Sequence, residues 1–312
     1  MLRPNVITKK LVWKSNCLCL GVLLFFLINS FAWSAPIRLI DDLGVELSLD
    51  QAAKRVVLLG PNLVESIYAI DAAHTVVAVA DHSDYPQEAR AIPRVASHNT
   101  INYEKILALA PDLVVVWASG FGVDKIQKLR DLGLTVFASE PQRLADVEHL
   151  LRTLGQLTGH SGSANQAALD YVRGLEELTQ RYQHQRPVRV FYQIWHQPMQ
   201  TLNDKHIVND VITLCGGINI FAKQREIAPK VSVEAVIALD PELIITGVSD
   251  GQRPSWFDDW KRWPRITAVK KNQLFVVDAD IMVRHAPRIL LGAEQLCRYL
   301  AQARVSDEVK GE

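Results

Sequence analysis

A chain of 312 residues with 34 basic and 34 acidic side chains has a formal net charge of +0, which removes the electrostatic case for a nucleic-acid partner. Its 48% hydrophobic content is that of a folded globular protein, and the roughly 275 residues left beyond a leader exceed one comfortable core, so two domains are expected. Beyond that leader no stretch reaches the roughly 20 apolar residues that a membrane span needs.

Residues 1–34 read as a signal peptide. Lys9, Lys10 and Lys14 form a positive start, and the apolar run from Cys17 to Ile28 is too short to span a bilayer. Ala32 and Ser34 supply small residues for cleavage before Ala35, with an uncleaved anchor as the alternative. Cys17 and Cys19 leave with the leader, so Cys215 and Cys297 are the pair of the exported chain, most simply joined as one disulfide.

Residues 35–160 read as an N-terminal α/β lobe. A β-rich entry over Ile37 to Leu49 precedes the buried strand Arg55 to Leu59, which Gly60-Pro61-Asn62 turns into a helix through Val64, Ile67 and Ile70. Strand Val76 to Ala80 ends at the polar loop Asp81 to Pro86, strand Leu113 to Val116 ends at Trp117 to Gly120, and Thr135 to Phe137 follows. Alternating strands and helices of this length predict a mainly parallel sheet covered by helices, with ligand-facing residues on loops at the carboxyl ends of the strands.

The longest helical pattern runs from Gly162 to Gln183, with Ala164, Ala168, Tyr171, Leu175, Leu178 and Tyr182 on one face. At 1.5 Å per residue it is on the order of 30 Å long, enough to connect two lobes. Residues 161–185 are therefore read as a backbone helix and 186–312 as a C-terminal α/β lobe that opens with strand Val188 to Tyr192. One long helix as the connection predicts a stiff hinge and modest closure.

Two segments read nearly alike. Glu104 to Val115, with Pro111 and Asp112, is echoed by Glu234 to Ile245, with Pro241 and Glu242. Solenoid periods run roughly 20–50 residues, so an offset of about 130 fits two similar lobes instead. If the lobes are related by a pseudo-two-fold axis, Glu104 and Glu234 project alike from both tips and suit a symmetric partner such as a homodimeric permease. Each glutamate also simply suits a helix N-terminus.

No catalytic pattern is present: no Gly-x-Ser-x-Gly, no His-Glu-x-x-His, no phosphate loop and no Gly-x-Gly-x-x-Gly after a strand. The strand-end loops offer instead Tyr85, His98, Trp117, Trp195, His196, Asp280, Arg284 and His285. Aromatic faces at Tyr85 and Trp117 suit a large, flat ligand, although Trp117 also suits the role of a core cap. Asp280 and Arg284 suit ligand amides or a carboxylate, and equally a mutual surface ion pair. Trp256, Trp260 and Trp263 are spaced to pack a helix onto the second lobe.

With these residues in view the chain resembles the helical-backbone (class III) periplasmic substrate-binding proteins, and among them the cobalamin (vitamin B12) binding family of bacterial ABC importers. The resemblance covers nearly the whole mature chain and is most specific at Ser83-Asp84-Tyr85-Pro86, at Leu109 to Val114, at Cys215 to Phe221, at Val231 to Glu234 and at Ala286 to Ile289 leading to Cys297. It implies two Rossmann-like lobes around a ligand cleft and a monomeric periplasmic receptor, not an enzyme, that needs no cofactor. Cobalamin would be its ligand, and its partner a homodimeric inner-membrane permease with ATPase subunits. Tyr85, Trp117, Asp280 and Arg284 match the ligand-contact positions of that family, Glu104 and Glu234 its docking glutamates, and Cys215 and Cys297 its disulfide. His98, Ala228 and Ile194 stand where larger pocket aromatics are expected, with Trp195 and His196 near enough to compensate. The loss of stacking area keeps haem or a ferric siderophore as the alternative ligand, with Tyr85 or His98 as a haem iron ligand.

Overall fold

The computed structural model describes residues 36–97, 100–249 and 251–308; the expected signal peptide and the candidate His98 lie outside them. Strands β1 (Ile37–Ile40) and β2 (Glu46–Leu49) form an antiparallel hairpin. The alternation in β2 buries Leu47 and Leu49. The Asp41 carboxylate accepts from the Leu43, Val45 and Ala138 amides and from Arg130, which pins the hairpin to the first lobe.

Strands β3 (Val56–Leu59), β4 (Val76–Ala80), β5 (Arg94–Ala96), β6 (Leu113–Trp117) and β7 (Val136–Ser139) form one parallel sheet in the order β5-β4-β3-β6-β7. β3 and β7 are buried at every residue, as strands covered on both faces must be. Strands β8 (Val188–Gln193), β9 (Gly217–Asn219), β10 (Leu243–Val248) and β11 (Leu274–Asp278) form a second parallel sheet ordered β11-β10-β8-β9. Two α/β lobes with parallel sheets are thus what the alternation in the sequence called for.

The repeated segment builds the same corner in both lobes. In the first, Asp112 accepts from the Lys54 and Arg55 amides while the Arg55 side chain donates to the Leu109 and Ala110 carbonyls. In the second, Glu242 accepts from the Arg189 amide while the Arg189 side chain donates to the Asp240 carbonyl. Ala110 and Asp240 both take φ of 43°, the left-handed turn that ends each helix. In each lobe, then, an acidic residue after the proline fixes the start of the central strand, and an arginine there caps the preceding helix.

The connecting helix, Ser161–Tyr182, has 22 residues and buries Ala164, Ala168, Tyr171, Leu178 and Tyr182. It stops three residues short of 185, where the Gln185 amide turns back to the Tyr182 carbonyl and Pro187 follows. It is not a lone strut. Helix Leu144–Thr158 lies against it so closely that a Cβ at Gly155 would stand 2.2 Å from the Ala164 Cβ, and Gly174 makes similar room for Leu290 of helix Ile289–Glu308. One apolar core runs from Val56 and Leu63 through Leu151 and Tyr171 to Val188, Ile212 and Leu300, so the lobes share it along the spine.

Cys215 and Cys297 are joined by a disulfide between the end of helix Ile207–Leu214 and helix Ile289–Glu308, and both are 0% exposed. Arg304 reinforces the same joint by donating to the Arg186, Cys215 and Gly216 carbonyls. Trp256 and Trp260 lie on the 3-10 helix Ser255–Arg262 and Trp263 just after it; Trp260 is buried against Phe191 and donates to the Gln193 side chain at 2.8 Å.

Candidate ligand-binding cleft

A parallel sheet whose strand order reverses leaves a crevice at the carboxyl ends of the two strands that flank the reversal. In the first lobe those strands are β3 and β6, which lead into Pro61-Asn62 and Trp117; in the second, β10 leads to Ser249. These residues, with His82 and Asp84 after β4 and Asp280, Val283, Arg284 and His285 after β11, line one cavity of about 410 Å³. Both lobes therefore supply its wall.

Glycine makes the wall possible. A Cβ at Gly60 would lie 2.9 Å from the Trp117 Cβ, and one at Gly120 would lie 2.3 Å from the indole ring. The Trp117 ring thereby lies flat against the chain, 6.3 Å from His285. Its Nε1 and both amide atoms of Asn62 are buried without a hydrogen-bond partner among the described residues. Buried polar groups ordinarily find partners, so these atoms mark a surface built to receive something.

A charge network crosses the cleft. The Glu65 carboxylate of the first lobe, only 1% exposed, accepts from Arg284 at 2.9 Å and from Arg288 at 2.6 Å and 2.8 Å, both arginines belonging to the second lobe. Arg284 also meets Asp84 at 3.2 Å and Asp280 at 2.9 Å. Burial pushes the Asp280 pKa up, with Arg284 opposing it. For Arg288 burial works downward but the Glu65 hydrogen bonds and charge outweigh it, holding the group above its ordinary value. Three carboxylates against two guanidiniums give this network a net charge of −1. Behind it His206 and His285 lie 6.0 Å apart, and burial pushes each down to about 4, so both are neutral at pH 7.

Of the residues expected at a ligand, the structure brings Trp117, Asp280, Arg284 and His285 together in the wall. Tyr85, 43% exposed, is outside it and lies under the Arg288 guanidinium, 3.5 Å from the ring centroid. Trp195, 59% exposed, is also outside: it bridges to Gln200, and its indole donates to the Gln197 carbonyl at 3.1 Å, which holds the ring away. His196 stacks on Trp256 at 4.8 Å. The Asp280–Arg284 pair exists but is no simple surface pair, because Arg284 is 12% exposed and bonded across the cleft. Asn62, Glu65 and Arg288 are absent from the sequence expectations. The signal for Glu65 was a charge in the middle of Leu63-Val64-Glu65-Ser66-Ile67, on a helix buried at every residue from Asn62 to Ile67.

Glu104 and Glu234 are both exposed in the first turns of helices Tyr103–Ala108 and Val233–Leu239. Their helices begin alike: Asn102 caps one through the Lys105 amide, and Ser232 caps the other through the Ala235 amide.

A cleft at matched switch points of two parallel lobes, with a spine of helices behind it, is the geometry of a ligand receptor. The family model described as periplasmic binding protein matches residues 56–281, from the first residue of β3 to the cleft segment after β11. The chain belongs to the periplasmic binding protein family. This periplasmic binding protein is 36% identical over 252 residues to the vitamin B12-binding protein of Vibrio cholerae serotype O1, with 80% of this chain and 89% of that protein covered. Its structure is similar to that of the periplasmic vitamin B12 binding protein of Vibrio cholerae, with a TM-score of 0.73 at 36% identity over 81% of this chain and 98% of that one. In fold alone it is also similar to a ligand-free periplasmic haem-binding protein of Roseiflexus sp. RS-1, with a TM-score of 0.70 at 20% identity over 81% and 99% of the two chains.

Proposed function

We propose that this periplasmic binding protein is the cobalamin receptor of an ABC importer, exported with a cleaved signal peptide. It would capture vitamin B12 in its cleft and deliver it to a homodimeric inner-membrane permease carrying ATPase subunits. It acts by binding and release, without catalysis and without a cofactor of its own. The observation that carries this reading is the reach of the likeness: 36% identity to a vitamin B12-binding protein runs over 252 residues, enough to include both walls of the cleft. The cavity of about 410 Å³ takes one edge of a corrinoid, and the rest of the macrocycle lies over its mouth on the side of Asp84 and the exposed ring of Tyr85. On this reading Glu104 and Glu234 dock on the permease.

The charge of the cleft supports cobalamin over the alternative. Haem would bring propionate carboxylates, and a ferric siderophore is commonly anionic, whereas the network around Arg284 already holds one negative charge more than positive. Arg284 Nη1 and Nη2 already meet the carboxylates of Glu65, Asp84 and Asp280. The rim of cobalamin presents uncharged amides. Titration of the purified mature protein with cyanocobalamin tests the proposal: binding is expected well below about 10 μM, and its absence at that concentration removes the assignment.

A further inference from the structure

Asn62 combines two properties that a packing residue does not have. It is 4% exposed, and among the described residues neither its Nδ2 nor its Oδ1 has a hydrogen-bond partner. Its neighbours Leu63, Val64 and Ile67 on helix Pro61–Ala69 are apolar and fully buried, so an aliphatic side chain would serve the core there at least as well. A buried amide with neither hydrogen bond made destabilises the fold that contains it. Asn62, however, faces the 410 Å³ cavity beside Trp117, in a wall completed by Ser249, Asp280 and Arg284 of the other lobe.

The unpaired atoms define what they accept. A carboxamide presents a donor and an acceptor in one plane, and its full complement is another carboxamide, which returns a donor to Oδ1 and an acceptor to Nδ2. A carboxylate satisfies Nδ2 alone, sets lone pairs against Oδ1 and adds charge to a network that is already negative. An ester also lacks the donor.

We infer that Asn62 is a specificity residue that pairs, through both amide atoms, with a primary carboxamide on the rim of the bound ligand. This rests on the corrinoid reading, since the corrin of cobalamin carries acetamide and propionamide groups around its edge. It assigns the edge that enters the cavity, and it explains why a destabilising side chain stands among aliphatic ones.

The test compares the unaltered mature chain with Asn62→Ala, measuring calorimetric affinity for cyanocobalamin and the thermal midpoint without ligand. A second ligand, dicyanocobyrinic acid heptamethyl ester, replaces the rim amides with groups that accept but do not donate. Asn62→Ala is expected to weaken cyanocobalamin at least tenfold, with a ligand-free midpoint equal to or above that of the unaltered chain. The ester is expected to bind the unaltered chain at least tenfold more weakly than cyanocobalamin and to lose less than threefold more on substitution. Affinity for cyanocobalamin within threefold of the unaltered chain overturns the proposal, and so does a lowered ligand-free midpoint, which would make Asn62 a structural amide. Failure of the unaltered chain itself to bind cyanocobalamin would instead remove the receptor reading beneath it.

Discussion

The Arg284 guanidinium reaches from the second lobe to the Glu65 carboxylate of the first at 2.9 Å, and Arg288 takes the same carboxylate at 2.6 Å. Glu65 is 1% exposed, so water does little to screen it, and it is the carboxylate that both partly buried arginines share. Removing one partner of a buried pair leaves an uncompensated charge, which costs about 3–5 kcal/mol. Glu65→Gln retains some hydrogen bonding and is expected to destabilise the ligand-free protein by about 2–4 kcal/mol in urea unfolding. A loss under about 0.5 kcal/mol would mean that the arginines find water or Asp84 instead.

Two buried histidines, His285 in the cleft wall and His206 near it, make stability depend on pH in a defined window. His206 and His285 each stand at about 4 in the folded protein, below the ordinary 6.5, because burial disfavours their charged forms. Above 6.5 neither state binds the proton and the groups contribute no pH dependence. As pH falls from 6.5 to 4 the unfolded chain protonates first, so the folded state loses stability over that interval and the effect levels off below it. The rings are close enough to titrate as a pair. The expected loss is on the order of a few kcal/mol for the pair. Comparing urea midpoints of the unaltered chain and a His206→Gln, His285→Gln double variant from pH 7.5 to 4.5 isolates it. Parallel curves would show that the histidines are not the titrating groups.

The disulfide ties two elements that are far apart in sequence, Cys215 and Cys297 being separated by 82 residues. On the chain-entropy model a loop of that size stabilises by about 4.5 kcal/mol through restriction of the unfolded chain. Cys215→Ala with Cys297→Ala also trims two fully buried side chains. The expected loss is therefore about 3–5 kcal/mol, read from the urea midpoint, with the ligand contacts untouched because neither cysteine lines the cleft. An unchanged midpoint would mean that the apolar joint and Arg304 suffice.

The fold was legible where the sequence repeats a local rule. Apolar runs ending at Gly60, Trp117 and Gln193 gave parallel strands, and the 3.6-residue spacing of Ala164, Ala168 and Tyr171 gave the spine. The repeat was visible as a pattern, but its mechanics were not: Asp112 and Glu242 accept from amides 57 and 53 positions earlier at the starts of the central strands, and no local window holds both ends of such a bond. The site divided the same way. Trp117, Asp280 and Arg284 follow strands and could be placed by that rule, whereas Glu65 is recognised only once its partners, 219 and 223 residues away, are in contact with it. Trp195 follows a strand too, yet the Gln197 carbonyl holds its indole outward, a local bond that strand-end reasoning does not see.

Glu104 and Glu234 share a setting that separates docking from folding. Each stands in the first turn of a short helix and is exposed, while the cap of that helix is made by another residue, Asn102 or Ser232. The macrodipole gives each glutamate about 0.3–1 kcal/mol at its helix start and would oppose a lysine by as much, so Glu104→Lys with Glu234→Lys is expected to lower stability by about 1–4 kcal/mol. Neither residue lines the cleft, so affinity for cyanocobalamin should stay within twofold of the unaltered chain. If the proposed docking holds, uptake of labelled cobalamin by cells relying on this receptor should stop, because the reversed charges would meet basic sites on a permease with repulsion. Each single reversal should leave partial uptake, one lobe tip still docking, and the double variant should fall below the product of the two. Normal uptake by the double variant would reduce the glutamates to helix-start residues. Uptake lost together with ligand affinity would place the defect in the cleft instead of at the docking face.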